Sequence, residues 1–188
     1  MHRWIMAGSL LAASLTSVAE QRLVFGSGYR WTQDVTVDQV DTGIREDQSL
    51  AAAFEWPYSA VADWQLYLSQ TETDVDNAAR DALDIRVAQI GGVRWLESGD
   101  FRPYLGATGG VTQLSLADDT MTRASLSLFA GLNWDIASAA AIRAELRWIG
   151  TYVDSETELR CAGGRCVLTV DAGLWRQTDA NLQVVFRF

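Results

Sequence analysis

A chain of 188 residues has room for one domain with a sizeable core. Its formal net charge of −9, with all 15 basic residues arginine, argues against nucleic acid as a partner. No stretch approaches the ~18 consecutive apolar residues that a membrane helix needs. In chain order, residues 1–19 come first and read as a secretory signal. Arg3 supplies the positive start, Ile5 to Leu15 a short apolar run, and Ser17-Val18-Ala19 the small residues that a signal peptidase requires. The domain itself is then expected to be 20–188.

Eight segments of period-two alternation follow. Five are weak: Leu23–Trp31, Leu50–Trp56, Trp64–Leu68, Ile85–Trp95 and Leu105–Val111. Residues 124–134 are clearer, with Ala124, Leu126, Leu128, Ala130, Leu132 and Trp134 opposite Ser125, Ser127, Gly131 and Asn133. In 141–148, Ile142, Ala144, Leu146 and Trp148 share one face, and Arg143, Glu145 and Arg147 the other. The chain ends in the same way, Leu182, Val184, Phe186 and Phe188 alternating with Asn181, Gln183, Val185 and Arg187. Leu83, Val87 and Ile90 also fit a helical spacing, as do Ile142, Leu146 and Ile149. Gly91-Gly92 and the alternating neighbours favour strands.

The connectors sort into short ones (Pro57–Asp63, Glu97–Asp100, Asp135–Ala141) and long polar ones (Asp34–Gln48, Glu72–Asp81, Ser115–Thr122, Val153–Gln177) that take turns along the chain. Segments of about ten residues with this asymmetry predict an all-β, eight-stranded antiparallel up-and-down transmembrane barrel. Both chain ends fall on the short-turn, periplasmic side. A soluble barrel would bury the apolar face instead. Aromatic residues near strand ends favour lipid outside, as an interfacial girdle of Trp56, Tyr58, Trp64, Trp95, Tyr104 and Trp134, with Trp148, Tyr152 and Trp175 near the long loops. The other face carries Arg30, Glu55, Arg86, Glu145 and Arg147 beside Gly26, Gly28, Gly106 and Gly110, a set suited to a narrow polar lumen.

The last eight residues, Asn181-Leu182-Gln183-Val184-Val185-Phe186-Arg187-Phe188, resemble the C-terminal assembly signal of bacterial outer-membrane proteins. That resemblance implies insertion by the barrel-assembly machinery, with Leu182, Val184, Phe186 and Phe188 as the residues it reads. The overall plan is similar to the small OmpX, OmpW and OmpA-barrel proteins, and Arg102-Pro103-Tyr104-Leu105-Gly106 resembles segments of many outer-membrane β-barrel domains. The resemblance speaks to location and fold, since this architecture hosts unrelated activities.

The functional expectations are largely negative. The single histidine, His2, lies in the signal, so a serine or threonine of the domain lacks the usual partner to take its proton. No enzyme activity, cofactor or metal is therefore expected. Cys161 and Cys166 are expected to form a disulfide stapling the fourth long loop. Arg22, Arg94, Arg102, Arg143 and Arg187 fall near the short-turn ends on the lumen face. They form either a periplasmic collar that favours anions or zwitterions, or ion pairs with Glu55, Asp100 and Asp135. The expected partners are outer-membrane lipid and lipopolysaccharide, the assembly machinery during insertion, and in one reading a small solute. A non-enzymatic structural or surface-interaction barrel with acidic outer loops leads. A narrow channel and a soluble secreted ligand-binding barrel are the alternatives.

Overall fold

A computed structural model describes residues 20–32, 35–37, 40–42, 47–74, 82–96, 99–116, 119–153, 158–160, 167–169 and 173–188. The expected signal (1–19) and the expected Cys161–Cys166 disulfide lie outside these residues. Among these residues there are twelve strands, in chain order: β1 (Arg22–Thr32), β2 (Val35–Val37), β3 (Val40–Thr42), β4 (Asp47–Ser59), β5 (Ala62–Asp74), β6 (Ala82–Trp95), β7 (Phe101–Leu116), β8 (Asp119–Ala137), β9 (Ala140–Val153), β10 (Glu158–Arg160), β11 (Val167–Thr169) and β12 (Gly173–Arg187).

Eight of them close a barrel in the order β1-β12-β9-β8-β7-β6-β5-β4, every pair antiparallel. The seam closes at the chain ends, where β1 pairs with β12 from Arg22↔Arg187 to Thr32↔Gln177. Beyond the seam, Gln21 N donates to Phe188 O at 3.0 Å and Phe188 N to Gln21 O at 3.1 Å. Closure leaves no barrel edge unpaired, which a wall facing hydrocarbon requires. The four short strands form a separate sheet, β10-β11-β2-β3. Its β2–β11 pairing ties the first long connection to the fourth.

Alternation places the apolar residues outside. Leu126, Leu128, Leu132, Leu146 and Leu182 are between 50 % and 64 % exposed, whereas Arg30, Glu55, Arg143, Arg147 and Asp179 are at most 1 % exposed. A soluble barrel has the opposite arrangement, so that alternative fails here. The strands run longer than the alternation predicts. Trp64–Leu68, for example, is the middle of the 13-residue β5. Two of the short connectors shrink to the two-residue turns Ala60-Val61 and Ser138-Ala139. Each turn is preceded by a register shift, between Pro57 and Ser59 and between Asp135 and Ala137. The expected long loop Ser115–Thr122 is corrected to a tight hairpin, because Ser115↔Thr120 and Leu116↔Asp119 are paired. Its polar composition reads as a loop, yet Ser and Thr sit comfortably on the outward face of a strand beyond the apolar band.

Candidate functional site

Among the described residues the lumen gathers chemistry-bearing side chains from all eight walls, and it is built in levels. Arg143 on β9 reaches across to Glu55 on β4, donating from Nη1 to Oε1 at 2.7 Å and from Nη2 to Oε2 at 3.0 Å. Gln65 adds a third donor to Glu55, from Nε2 at 2.9 Å. Arg147, two residues along β9, donates to Glu145 at 2.9 Å, to Thr108 at 3.1 Å and to Gln65 Oε1 at 2.8 Å. Its guanidinium lies 3.7 Å from the Tyr67 ring centroid and 3.9 Å from that of Phe129. Tyr104 donates its hydroxyl to the other oxygen of Glu145 at 2.9 Å. Fixed planar forks of this kind suit arginine rather than lysine.

Toward the long-loop end, Arg30 on β1 forks onto Asp179 on β12, both bonds at 2.6 Å, and reaches Ser69 at 2.8 Å. Gln89 organises the far wall, its Oε1 accepting from Thr108 at 2.8 Å and Ser127 at 2.5 Å while its Nε2 donates to Ser125 at 2.8 Å. Above these, the lumen face turns apolar, with Leu83, Ile85, Leu114, Leu116 and Trp175 buried.

At the short-turn end, Trp95 closes the view. Its Nε1 donates to Asp63 Oδ2 at 2.6 Å, and Arg22 binds the same carboxylate. Arg22, Arg102 and Arg143 place their guanidiniums 5.2, 4.9 and 5.4 Å from the indole. Arg102 and Arg187 share Asp135, which also accepts from Asn133 at 2.6 Å. Each of Arg22, Arg102, Arg143 and Arg187 thus faces a carboxylate. These partners are Asp63, Asp135 and Glu55, with Glu20 also 3.9 Å from Arg22 and 3.3 Å from Arg187, and Asp100 is not among them.

Five expected positions need correction. Arg86 and Arg94 point outward, not into the lumen: inward-facing residues of β6 are Leu83, Ile85, Val87, Gln89, Val93 and Trp95. Apolar residues sit on both faces of this strand, so hydrophobicity cannot fix its phase. Trp95, Tyr104 and Trp175, expected in the girdle, point inward and are 8 %, 1 % and 3 % exposed. The first two have buried carboxylates for their polar groups to bond. Trp56, Tyr58, Trp64, Trp134, Trp148 and Tyr152 face outward, as do the terminal Leu182, Val184, Phe186 and Phe188. Asp63, Gln65, Gln89 and Asp179 were missed. Extending the last strand's alternation two steps back from Asn181 lands on Asp179, so that one was within reach.

The outward arginines mark the apolar band. Arg86 and Arg94 both lie on β6, eight residues apart. At ~3.3 Å per residue and a strand tilt near 40°, they are separated by about 20 Å of barrel height, close to the roughly 25 Å apolar belt of such barrels. Outward residues of β6 between them are Ala88, Ile90 and Gly92.

No protein-family model matches the sequence, and no curated protein does either. Solved structures match by shape. Neisserial surface protein A superposes with a TM-score of 0.67 at 10 % identity, covering 89 % of this chain and 97 % of its own. Ail, the attachment invasion locus protein of Yersinia pestis, gives 0.52 at 14 % identity, with 90 % and 99 % covered. The N-terminal β-barrel domain of Pseudomonas aeruginosa OprF gives 0.51 at 14 % identity, with 90 % and 97 % covered. The fold is therefore that of the small eight-stranded outer-membrane barrels.

Proposed function

We propose that this chain resides in the bacterial outer membrane, with both termini periplasmic, and acts as a sealed, non-catalytic scaffold that displays its outer loops. The carrying observation is the lumen: the pairs Arg143–Glu55, Arg147–Glu145 and Arg30–Asp179 are fully buried and cross-linked by Gln65, Thr108 and Ser69. An eight-stranded barrel is just wide enough for side chains, and these fill it. A solute would have to break buried ion pairs, each costing several kcal/mol to leave half-unpaired. The absence of histidine from residues 20–188 supports the non-catalytic reading, as general-base work at neutral pH most often uses it. The outward row Leu182, Val184, Phe186 and Phe188 supports recognition by the assembly machinery.

Loop display has a chemical direction. Ail is known in complex with the heparin analogue sucrose octasulfate, a polyanion. Here the first two outer connections carry Asp34, Asp38, Asp41, Glu46, Glu72, Asp74, Asp76 and Asp81, so a surface partner of cationic character is expected instead.

The test is conductance of the refolded protein in planar bilayers. Folded protein is expected to stay silent, and steady, reproducible single-channel steps would overturn the sealed reading. One observation favours a narrow water path as the second reading. Gln177, Asn181 and Gln183 on β12 hold buried polar side-chain atoms without protein partners, and such groups call for water.

A further inference from the structure

The outer wall of β4 to β8 is not a uniform lipid-facing surface. A groove of about 740 Å³ lies along it, toward the long-loop end. Its upper lip follows one oblique row set by strand register: Leu50↔Gln70, Gln70↔Arg86, Arg86↔Gln113 and Gln113↔Thr122. Directly below, Ala52↔Leu68, Leu68↔Ala88 and Ala88↔Val111 place small residues between larger ones. The wall is therefore recessed beneath a lip of one guanidinium, two carboxamides and a hydroxyl.

We propose that this groove binds a phosphorylated, multi-chain glycolipid of the outer leaflet, of the lipid A class. The proposal rests on the outer-membrane reading above. Arg86 supplies the phosphate contact: its side chain is 57 % exposed, and Asp84, at 2.6 Å from Nη2, takes one edge of the fork and leaves the rest. Glu72 stands directly across from Asp84, so the level above the lip is acidic. The ligand's charge is thereby confined to the level of Arg86. Gln70 and Gln113 flank it with groups that both donate and accept, which suits sugar hydroxyls and amide-linked acyl chains better than a bare glycerophosphate. Width points the same way. From β4 to β8 the lip crosses four strand spacings of ~4.8 Å, which at a strand tilt near 40° is about 15 Å around the barrel, room for several acyl chains side by side. An arginine in the body of a lipid-facing wall is costly, whereas one placed at the headgroup level with an anion is stabilised.

The folded protein in detergent is incubated with lipid A, phosphatidylglycerol or phosphatidylcholine, and retained lipid is counted by native mass spectrometry. Lipid A should be held about tenfold more than either phospholipid, and Arg86→Gln should remove about that factor, the size of one charge-assisted contact. Ala88→Leu, which fills the groove without touching charge, should lower retention as well. Ala180→Leu, outward on the opposite wall at β12, should not. Equal retention of all three lipids, or wild-type retention by Ala88→Leu, would overturn the proposal. Each protein is also run on a detergent gel before and after boiling. A wild-type chain without a mobility shift would overturn the barrel reading itself, and a shifted chain without lipid preference only the groove.

Discussion

Replacing Arg143 by methionine tests whether the lumen is held by mutual charge compensation. The guanidinium and its partner Glu55 are both fully buried and joined by two bonds of 2.7 and 3.0 Å. Without Arg143, Glu55 keeps a single neutral donor, Gln65 at 2.9 Å. Removing one partner of such a buried pair costs about 3–5 kcal/mol, because the other charge is stranded. Changing Glu55 to methionine as well removes both charges. What remains is the loss of an acceptor for Gln65, about 1–3 kcal/mol. The double variant should therefore be more stable than the Arg143→Met single, with a coupling energy of at least about 2 kcal/mol. Urea titration in lipid vesicles, followed by tryptophan fluorescence, reads this directly, and Trp95 lies 5.4 Å from the Arg143 guanidinium. Single variants that each cost less than about 1 kcal/mol and add without coupling would refute the compensation argument.

Other perturbations sort the same interior by cause. Gly28→Ala should abolish or severely slow closure of the barrel, since a Cβ there would overlap the Ala180 carbonyl oxygen and Asn181 across the β1–β12 seam. Gly109→Ala faces outward with nothing nearer than 3.9 Å and should fold normally, both readings being made on a heat-modifiability gel. Trp95→Phe keeps an aromatic ring but loses the 2.6 Å bond to Asp63, and should lower unfolding free energy by about 1.5–3 kcal/mol in the same titration. Buried pairs escape screening, so raising salt from about 0.05 to 0.5 M should leave the urea midpoint of the wild type nearly unchanged. A midpoint falling steeply with salt would mean that the stabilising charges lie at the surface.

Legibility in the sequence followed the strength of alternation. Where one face was wholly apolar and the other mostly polar, as in 141–148 and 181–188, the facing of Arg143, Glu145, Arg147 and the terminal phenylalanine was readable. In β6 the period was visible but its phase was not, since Val87, Val93 and Trp95 on one face are balanced by Ala88 and Ile90 on the other, and by Leu96 just past the strand end. The strand map expects Arg86 and Arg94 to point inward, but at headgroup level an arginine is tolerated on the outer face. Aromatic residues near strand ends were equally ambiguous. Trp64 and Trp134 face out, while Trp95 and Tyr104 turn in to bond Asp63 on the adjacent strand and Glu145 two strands away. Such pairings across the lumen depend on barrel closure, and no local pattern announces them. Asp63 in particular was hidden in what reads as a turn, Pro57 to Asp63, because the strand runs past the polar residues at its end.

The two solvents on either side of the wall also limit where function can lie. A wall facing hydrocarbon must satisfy every backbone group internally, and the closed barrel does so. A lumen of this width must be filled, and here the filling is charge locked to charge. Neither the mid-wall nor the mid-lumen is then free to bind a soluble partner. The short-turn end offers little more. Its two described turns have two residues each, and its terminal strands are clasped together by the bonds between Gln21 and Phe188. The long-loop end differs, because the first and fourth connections carry paired strands of their own above the barrel. They flank β1 and β12, the seam strands, so chain ends that meet at one face of the membrane bring these two connections together at the other. Ordering chain beyond the barrel costs backbone entropy that insertion alone does not require. Under the proposed loop-display role, recognition would fall at this end, on the β10-β11-β2-β3 sheet, with the charged lumen holding the platform rigid.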